Sequence, residues 1–228
     1  MSSVRFFQGT QLNESSFDIL KEVETTEKLD IGQSTLRTLD QNFQIKVTSE
    51  FRVSSCSNLE SIEGISFNDQ MKMVNVFNCE NIKGPIDNFE NITESETFRF
   101  SGNDFITDLP PIPLLRKVNY LELNNIADLS DLSRISNIEV ARQLDLADLN
   151  INSLDGLNLD LNSDSDFLLA FIRLPNLENF SGIPAIEKAG IILVRDCSSL
   201  NSLIGLEFLK EVDNIIELSD LPSLKNIN

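Results

Sequence analysis

Apolar residues recur along this chain in a fixed word. Between Ile183 and Leu224 the word occurs twice. It opens with a short alternating run (Ile192-x-Val194, then Ile216-x-Leu218), has a Cys or Leu three places on (Cys197, Leu221), and a Leu three further (Leu200, Leu224). The first copy continues through Leu203, Gly205 and Leu206 before the next run begins. Followed back toward the N-terminus, the runs start at Leu29, Phe51, Val74, Phe98, Leu121, Leu144, Leu169, Ile192 and Ile216, at intervals of 22, 23, 24, 23, 23, 25, 23 and 24 residues. A period held over nearly the whole chain means a solenoid.

The columns agree with one another. Two residues after each start stands a second apolar side chain, from Ile31, Val53, Val76 and Phe100 to Leu123, Leu146, Phe171, Val194 and Leu218. Alternation with period two is the mark of a short strand with one buried face. Five residues after each start come Ser34, Cys56, Cys79, Asn103, Ile126, Leu149, Leu174, Cys197 and Leu221. Two further apolar columns run from Leu36 to Leu224 and from Leu39 to Ile227, with Gly64, Gly156, Gly182 and Gly205 just behind the second, at a corner. One coil cannot bury its own apolar face, whereas stacked coils share a core and pair their strands in parallel. The expected fold is therefore mainly β: a right-handed, β-helix-like solenoid of about nine coils of 22–25 residues with one parallel sheet. At about 4.8 Å per coil this is a rod roughly 40 Å long.

Local signals refine this picture. Residues 1–28 read as an N-terminal cap, with Asn13 or Ser16 starting a helix ahead of Phe17, Leu20 and Val23, and residues 29–228 as the solenoid of a single domain. The spacing of apolar residues in 130–142 and 206–214 suits a helical turn on the return path, and Pro110, Pro111 and Pro113 force an extended one.

The strand-plus-corner pattern resembles leucine-rich repeats. The fuller word Leu203-x-Gly205-Leu206-x-x-Leu209-x-x-Val212, leading into Ile216-x-Leu218, is more similar to the receptor L domain, and Leu20-Lys21-Glu22-Val23 ahead of Leu29 repeats its approach. That solenoid occurs in insulin-receptor and EGF-receptor ectodomains and in GPI-anchored fungal cell-wall proteins. The resemblance covers about residues 20–228 and implies a binding scaffold at a cell surface, without specifying a ligand.

Composition narrows the chemistry. The formal net charge is −18, with only 18 Lys and Arg, which disfavours nucleic acid and anionic lipid as partners. The chain has no histidine, so the commonest general base, zinc ligand and pH switch are all missing. No run of about 18 apolar residues is present, so direct membrane insertion is not expected. The first residues lack a signal-peptide pattern, which fits a cytoplasmic protein or one whose leader has been removed.

Three constellations are worth placing. Cys56 and Cys79 share a column in adjacent coils, within disulfide reach, and read either as a bridge or as two thiols lining the core; Cys197 is five coils away. Asp160-x-Asn162-x-Asp164-x-Asp166 alternates oxygen ligands, but Ser165 and Phe171 stand where a calcium loop needs Gly and Glu, so a solvated loop is expected. Asn13-Glu-Ser15, Asn91-Ile-Thr93 and Asn179-Phe-Ser181 are sequons that count only in a secreted protein. No nucleophile–base pair or glycine-rich loop stands out, so no catalytic residue, cofactor or metal is assigned.

The remaining signal is on the outside of the sheet. The outward column runs Asp30, Arg52, Asn75, Arg99, Glu122, Asp145, Ala170, Leu193, Glu217, and its neighbour turns apolar at Leu168, Ile191 and Ile215. The candidate partner-binding residues are Arg99, Tyr120, Leu168, Ala170, Ile172, Ile191 and Leu193. Two readings stand for the apolar ones: an exposed patch, or core in a register slipped by one residue. The expected function is non-catalytic recognition of a protein or glycan. The alternative is a self-associating adhesin or cell-wall component that assembles through Leu224 and Ile227 at an uncapped end.

Overall fold

The computed structural model describes residues 3–6, 14–82, 87–102, 109, 111–126, 128–159 and 167–225. The chain divides into two compact units, Met1–Leu115 and Arg116–Asn228. Both are parallel β-solenoids, and helix among the described residues is confined to short 3-10 segments.

The first unit holds β1 (Ser3–Phe6), β2 (Thr25–Gly32), β3 (Ile45–Ser54), β4 (Ile65–Phe67), β5 (Gln70–Phe77) and β6 (Glu94–Ser101). The sheet order is β1-β2-β3-β5-β6, and β4 adds a second pairing on β3. Register follows the periodic columns: Leu29 lies beside Phe51, Phe51 beside Val74 and Val74 beside Phe98. The second unit holds β7 (Lys117–Asn124), β8 (Glu139–Ala147), β9 (Asn158–Leu159), β10 (Leu168–Ile172), β11 (Lys188–Arg195) and β12 (Glu211–Ser219). Its order is β7-β8-β10-β11-β12 with β9 on β8, and Leu121, Leu144, Leu169, Ile192 and Ile216 line up strand by strand.

From β2 to β11 the coils bury both residues of the alternating run and most of the corner residues behind them, from Leu29, Ile31, Leu36 and Leu39 in the first unit to Ile192, Val194, Cys197 and Leu200 in the second. Aromatic rings reinforce this core. In the first unit Phe51, Phe67, Phe89 and Phe98 form a chain with centroid separations of 5.0, 4.9 and 6.1 Å; in the second Phe171 meets Phe180 at 5.2 Å. Such pairs add about 0.5–1.5 kcal/mol each beyond the area they bury.

Two backbone devices turn the chain. The residue four places after the start of each alternating run is left-handed, at Gln33, Ser55, Asn78, Gly102, Asn125, Asp148, Arg173, Asp196 and Asp220. Its N–H then reaches the next coil, as in Ser55 N donating to the Phe77 carbonyl and Asp196 N to the Ser219 carbonyl. The second device is the glycine corner. A Cβ on Gly64 would collide with the Asp40 carbonyl oxygen, and one on Gly205 with the Phe180 carbonyl oxygen, so neighbouring coils approach there at a distance only glycine permits.

Most strands begin earlier than the alternating runs predict, because an extended stretch precedes the run and in three pairings a bulge joins the two. Register shifts between Thr26 and Lys28, between Val118 and Tyr120, and between Ala189 and Ile191. Buried Thr26 and Ser95 satisfy their hydroxyls there by donating to the carbonyls of Lys28 and Thr97, at 3.0 and 2.8 Å. At the N-terminal end, Glu14–Glu22 is a 3-10 helix that buries Phe17 and Leu20, while on β1 the buried Val4 pairs with Leu29 and carries that column one strand outward. A 3-10 turn at Ser133–Ile135 occupies part of the 130–142 return. The helical turn expected over 206–214 is absent: the chain turns before Lys210 and Glu211 already opens β12, held by Lys210 N–H to the Glu187 carbonyl. Pro111 lies in irregular, non-helical backbone; Pro110, Asn13, Asn103, Ile227 and the Asp160–Asp166 loop lie outside the described residues.

Candidate recognition surface

Strand alternation decides which face each candidate residue occupies. On β10 and β11 the inner residues Leu169, Phe171, Ile192 and Val194 are fully buried, and the residues between them point outward. Parallel pairing arranges the outer residues of the second unit in rows: Tyr120, Gln143, Leu168, Ile191, Ile215; then Glu122, Asp145, Ala170, Leu193, Glu217; then Asn124, Ala147, Ile172, Arg195, Ser219. The register is not slipped. Leu168, Ile172, Ile191 and Leu193 are half-buried on the outer face, and Ile215 is 52% exposed.

Five of the seven sequence candidates therefore come together. Leu168, Ala170 and Ile172 on β10 lie directly beside Ile191, Leu193 and Arg195 on β11. Ala170 is only 2% exposed, because its short side chain sits below its row neighbours; it forms the floor of the patch and offers little contact area. Tyr120 shares the row but is separated from Leu168 by Gln143; at 37% exposure it extends the row with an amphipathic ring. Arg99 belongs to the first unit, on β6 beside Asn75, and is half-buried.

Charged residues frame the patch. Arg195 donates to the Glu217 carboxylate at 2.5 Å, holding that carboxyl below its usual range, and Ser219 adds a hydroxyl hydrogen bond at 3.2 Å. Arg173 grips Asp148 with two hydrogen bonds of 2.6 Å, which raises the guanidinium further. On the opposite side Lys188 contacts Glu211 and Asp213 at 3.2 and 3.0 Å. Exposed pairs of this kind contribute little stability each. Their effect here is to confine the apolar area to a strip.

Sequence reasoning missed part of the exposed apolar surface. Ile204 and Phe208, on the return before β12, are 59% and 53% exposed, and the core-column residues Ile216 and Leu218 on β12 itself are 54% and 37% exposed. The equivalent Ile192 and Val194 one strand away are buried, because β12 covers them. Leu224 is half-buried, its N–H donating to the Leu221 carbonyl. A further cleft of about 320 Å³ in the first unit is lined by Asp18, Lys21, Arg37, Asp40 and their neighbours, but Lys21 already pairs with Asp18 at 2.7 Å and lies over Phe43.

The remaining sequence features are placed without gaining a role. Among the described residues no group of three or more Cys, Asp or Glu side chains converges as a metal site. Asn91 is exposed on a turn, with the Thr93 hydroxyl donating to the Asp69 carbonyl, whereas the Asn179 carboxamide accepts from the Ser181 N–H. No helix among the described residues is long and apolar enough to cross a membrane. No family model, curated protein or solved structure matches the chain.

Proposed function

We propose that this chain is a non-catalytic recognition module that presents the outer face of a parallel sheet to a protein partner. The observation that carries this reading is the row Leu168–Ile191–Ile215 with Leu193 and Ile172 beside it: apolar side chains on the outer face of a sheet, bounded by ion pairs. Exposed apolar strips rimmed by polar residues mark interaction surfaces. A protein partner suits the strip better than a glycan, since a glycan needs planar hydrogen-bonding groups and Tyr120 alone supplies an aromatic platform there. Kinship with the receptor L domain, suggested by the Leu203–Val212 word, would place such a module at a cell surface.

The test compares the native chain with Ile191→Asp as bait in cells of its source. A protein held by the native chain and released by the variant, at unchanged melting temperature, supports the reading. Identical captures by both would remove the patch from consideration, and a glycan array that lost signal with the same variant would change the class of partner.

A second reading rests on β12. Its outer edge pairs with no described strand, and Ile216 and Leu218 are more exposed than their buried counterparts on β11. Under that reading copies of the chain associate by adding a strand to this edge. Light scattering across a concentration series separates the two: growth of mass with concentration, abolished by Leu218→Lys, favours assembly, and a constant monomer mass rules it out.

A further inference from the structure

We propose that Cys56 and Cys79 form a disulfide that joins two successive coils of the first unit, made by exchange with a low-molecular-weight disulfide such as oxidised glutathione. β3 and β5 pair in parallel up to Ser54 beside Phe77. Both chains then turn the same left-handed corner, at Ser55 and Asn78, each with φ of 52°. Cys56 and Cys79 are the next residue in each coil, so they occupy equivalent positions one strand spacing apart. That spacing, about 4.8 Å, lies inside the Cα range of roughly 4.4–6.8 Å found for disulfides.

The side chains are also placed alike. Each sulfur lies over the carbonyl two residues before it, Cys56 Sγ 3.3 Å from Ser54 O and Cys79 Sγ 3.4 Å from Phe77 O. The two thiols are close enough for each to perturb the other. Their proximity lowers the Cys56 pKa and raises that of Cys79, so the pair gives up its first proton more readily than its second. Cys197 provides an internal control. It has the same corner, the same carbonyl contact at 3.4 Å to Arg195 and the same burial, but Leu174 and Leu221 flank it in the column, and burial raises its pKa.

The chemistry balances as two exchanges. The Cys56 thiolate attacks one sulfur of the small disulfide, forming a mixed disulfide and releasing one thiolate. Cys79 loses its proton and attacks the Cys56 sulfur, forming the Cys56–Cys79 bond and releasing the second thiol. The protein is oxidised by two electrons and the small disulfide is reduced to two thiols. Because both thiols are buried, the reaction proceeds during folding or through local opening of these coils.

The experiment refolds the full chain in oxidised glutathione and measures intact mass and free thiols. The expected product has lost two hydrogen atoms, retains one of its three thiols, and yields a cross-linked peptide containing Cys56 and Cys79. It melts higher than the reduced chain, and dithiothreitol reverses both changes. Cys197→Ser still forms the bond, and Cys79→Ala does not. Three free thiols after refolding, a bond involving Cys197, or a glutathione adduct on Cys56 that Cys79 leaves in place would each overturn the proposal. The native chain decides the matter alone if the alanine variant does not fold.

Discussion

The outer faces of the two units differ although their inner columns are built alike. In the first unit several of the outer residues are charged and pair with one another. Lys28 donates to Glu50 at 2.8 Å, Lys72 approaches the same carboxylate at 3.5 Å, and Arg52 lies over Phe77 at 5.7 Å. In the second unit the corresponding positions on β10 and β11 are Leu168, Ala170, Ile191 and Leu193, which find no polar partner to prefer. Both faces ride on the same strand register and the same left-handed corner. The solenoid thus fixes the inner columns and leaves the outer ones open, so the outer face is where two otherwise similar units come to differ in chemistry.

The largest expected effect tests whether inside and outside are assigned correctly. Phe100→Ala and Phe171→Ala empty fully buried positions in the two units and should each cost about 3–5 kcal/mol in urea unfolding. Leu193→Asp and Arg52→Ala, on the outer faces, should cost no more than about 1 kcal/mol. A Leu193→Asp variant that unfolds as readily as Phe171→Ala would make the apolar strip part of the core and end the contrast between the faces.

Next in size are the corner glycines, which test the claim that the two frames are the same. Gly64 and Gly205 both pack against a carbonyl of the preceding coil, so alanine at either should cost about 1–3 kcal/mol through overpacking. Gly156, where an added Cβ would stand 3.3 Å from the Ser136 Cβ, has more room and should lose less to contact. Gly205 and Gly156 share a positive φ, 104° and 95°, so equal losses at these two in thermal melts would mean that close approach is not what these corners require.

The inner columns were legible in the sequence because period-two burial and a constant coil length leave a direct trace. Leu29, Phe51, Val74 and Phe98 pair as their spacing predicts. The left-handed corner was partly legible: Asn78, Gly102, Asn125, Asp148, Asp196 and Asp220 are residue types that tolerate positive φ, but Gln33, Ser55 and Arg173 carry no such signal. The extended stretch before these runs was hidden, since Thr26, Met71, Ser95, Val118 and Ala189 share burial without sharing a residue class. Leu206, Leu209 and Val212 mislead for a different reason, because a spacing of three fits one face of a helix and also fits successive corners of a coil. The direction of Leu168 and Ile191 was open in the sequence, because a slip of one residue exchanges the faces, and the strand pairing decides it. What meets those residues leaves no trace in periodicity.

A smaller effect separates the two faces by pH. Glu50 is held below its ordinary carboxylate pKa, first by the hydrogen bond from Lys28 and then by both lysine charges. A carboxylate with a depressed folded pKa contributes stability that is fully present above its unfolded value of 4.5 and is lost as pH falls through the folded value. Glu50→Gln should therefore lower the melting temperature slightly at neutral pH and leave it unchanged well below pH 4. Substituting Ile191 by Val on the apolar strip should produce the same shift at both pH values. A Glu50→Gln effect that persisted in acid would show that packing, and not charge, holds the polar face.

The smallest effect concerns the corner both units share. Ser55 holds φ at 52°, where a Cβ crowds the backbone and glycine does not. Glycine removes that strain but gives the unfolded chain more freedom to lose, and the two terms oppose each other. Ser55→Gly should therefore raise stability by only a few tenths of a kcal/mol. Ser55→Val, β-branched at the same angle, should instead lose on the order of 1–3 kcal/mol. Arg173, at φ of 50° in the second unit, should respond differently, because glycine there also removes the paired 2.6 Å hydrogen bonds to Asp148. A gain at Ser55 beside a loss at Arg173 would show the shared corner as frame and its side chains as free to serve each outer face separately. Equal gains would mean that the Arg173–Asp148 pair contributes nothing measurable.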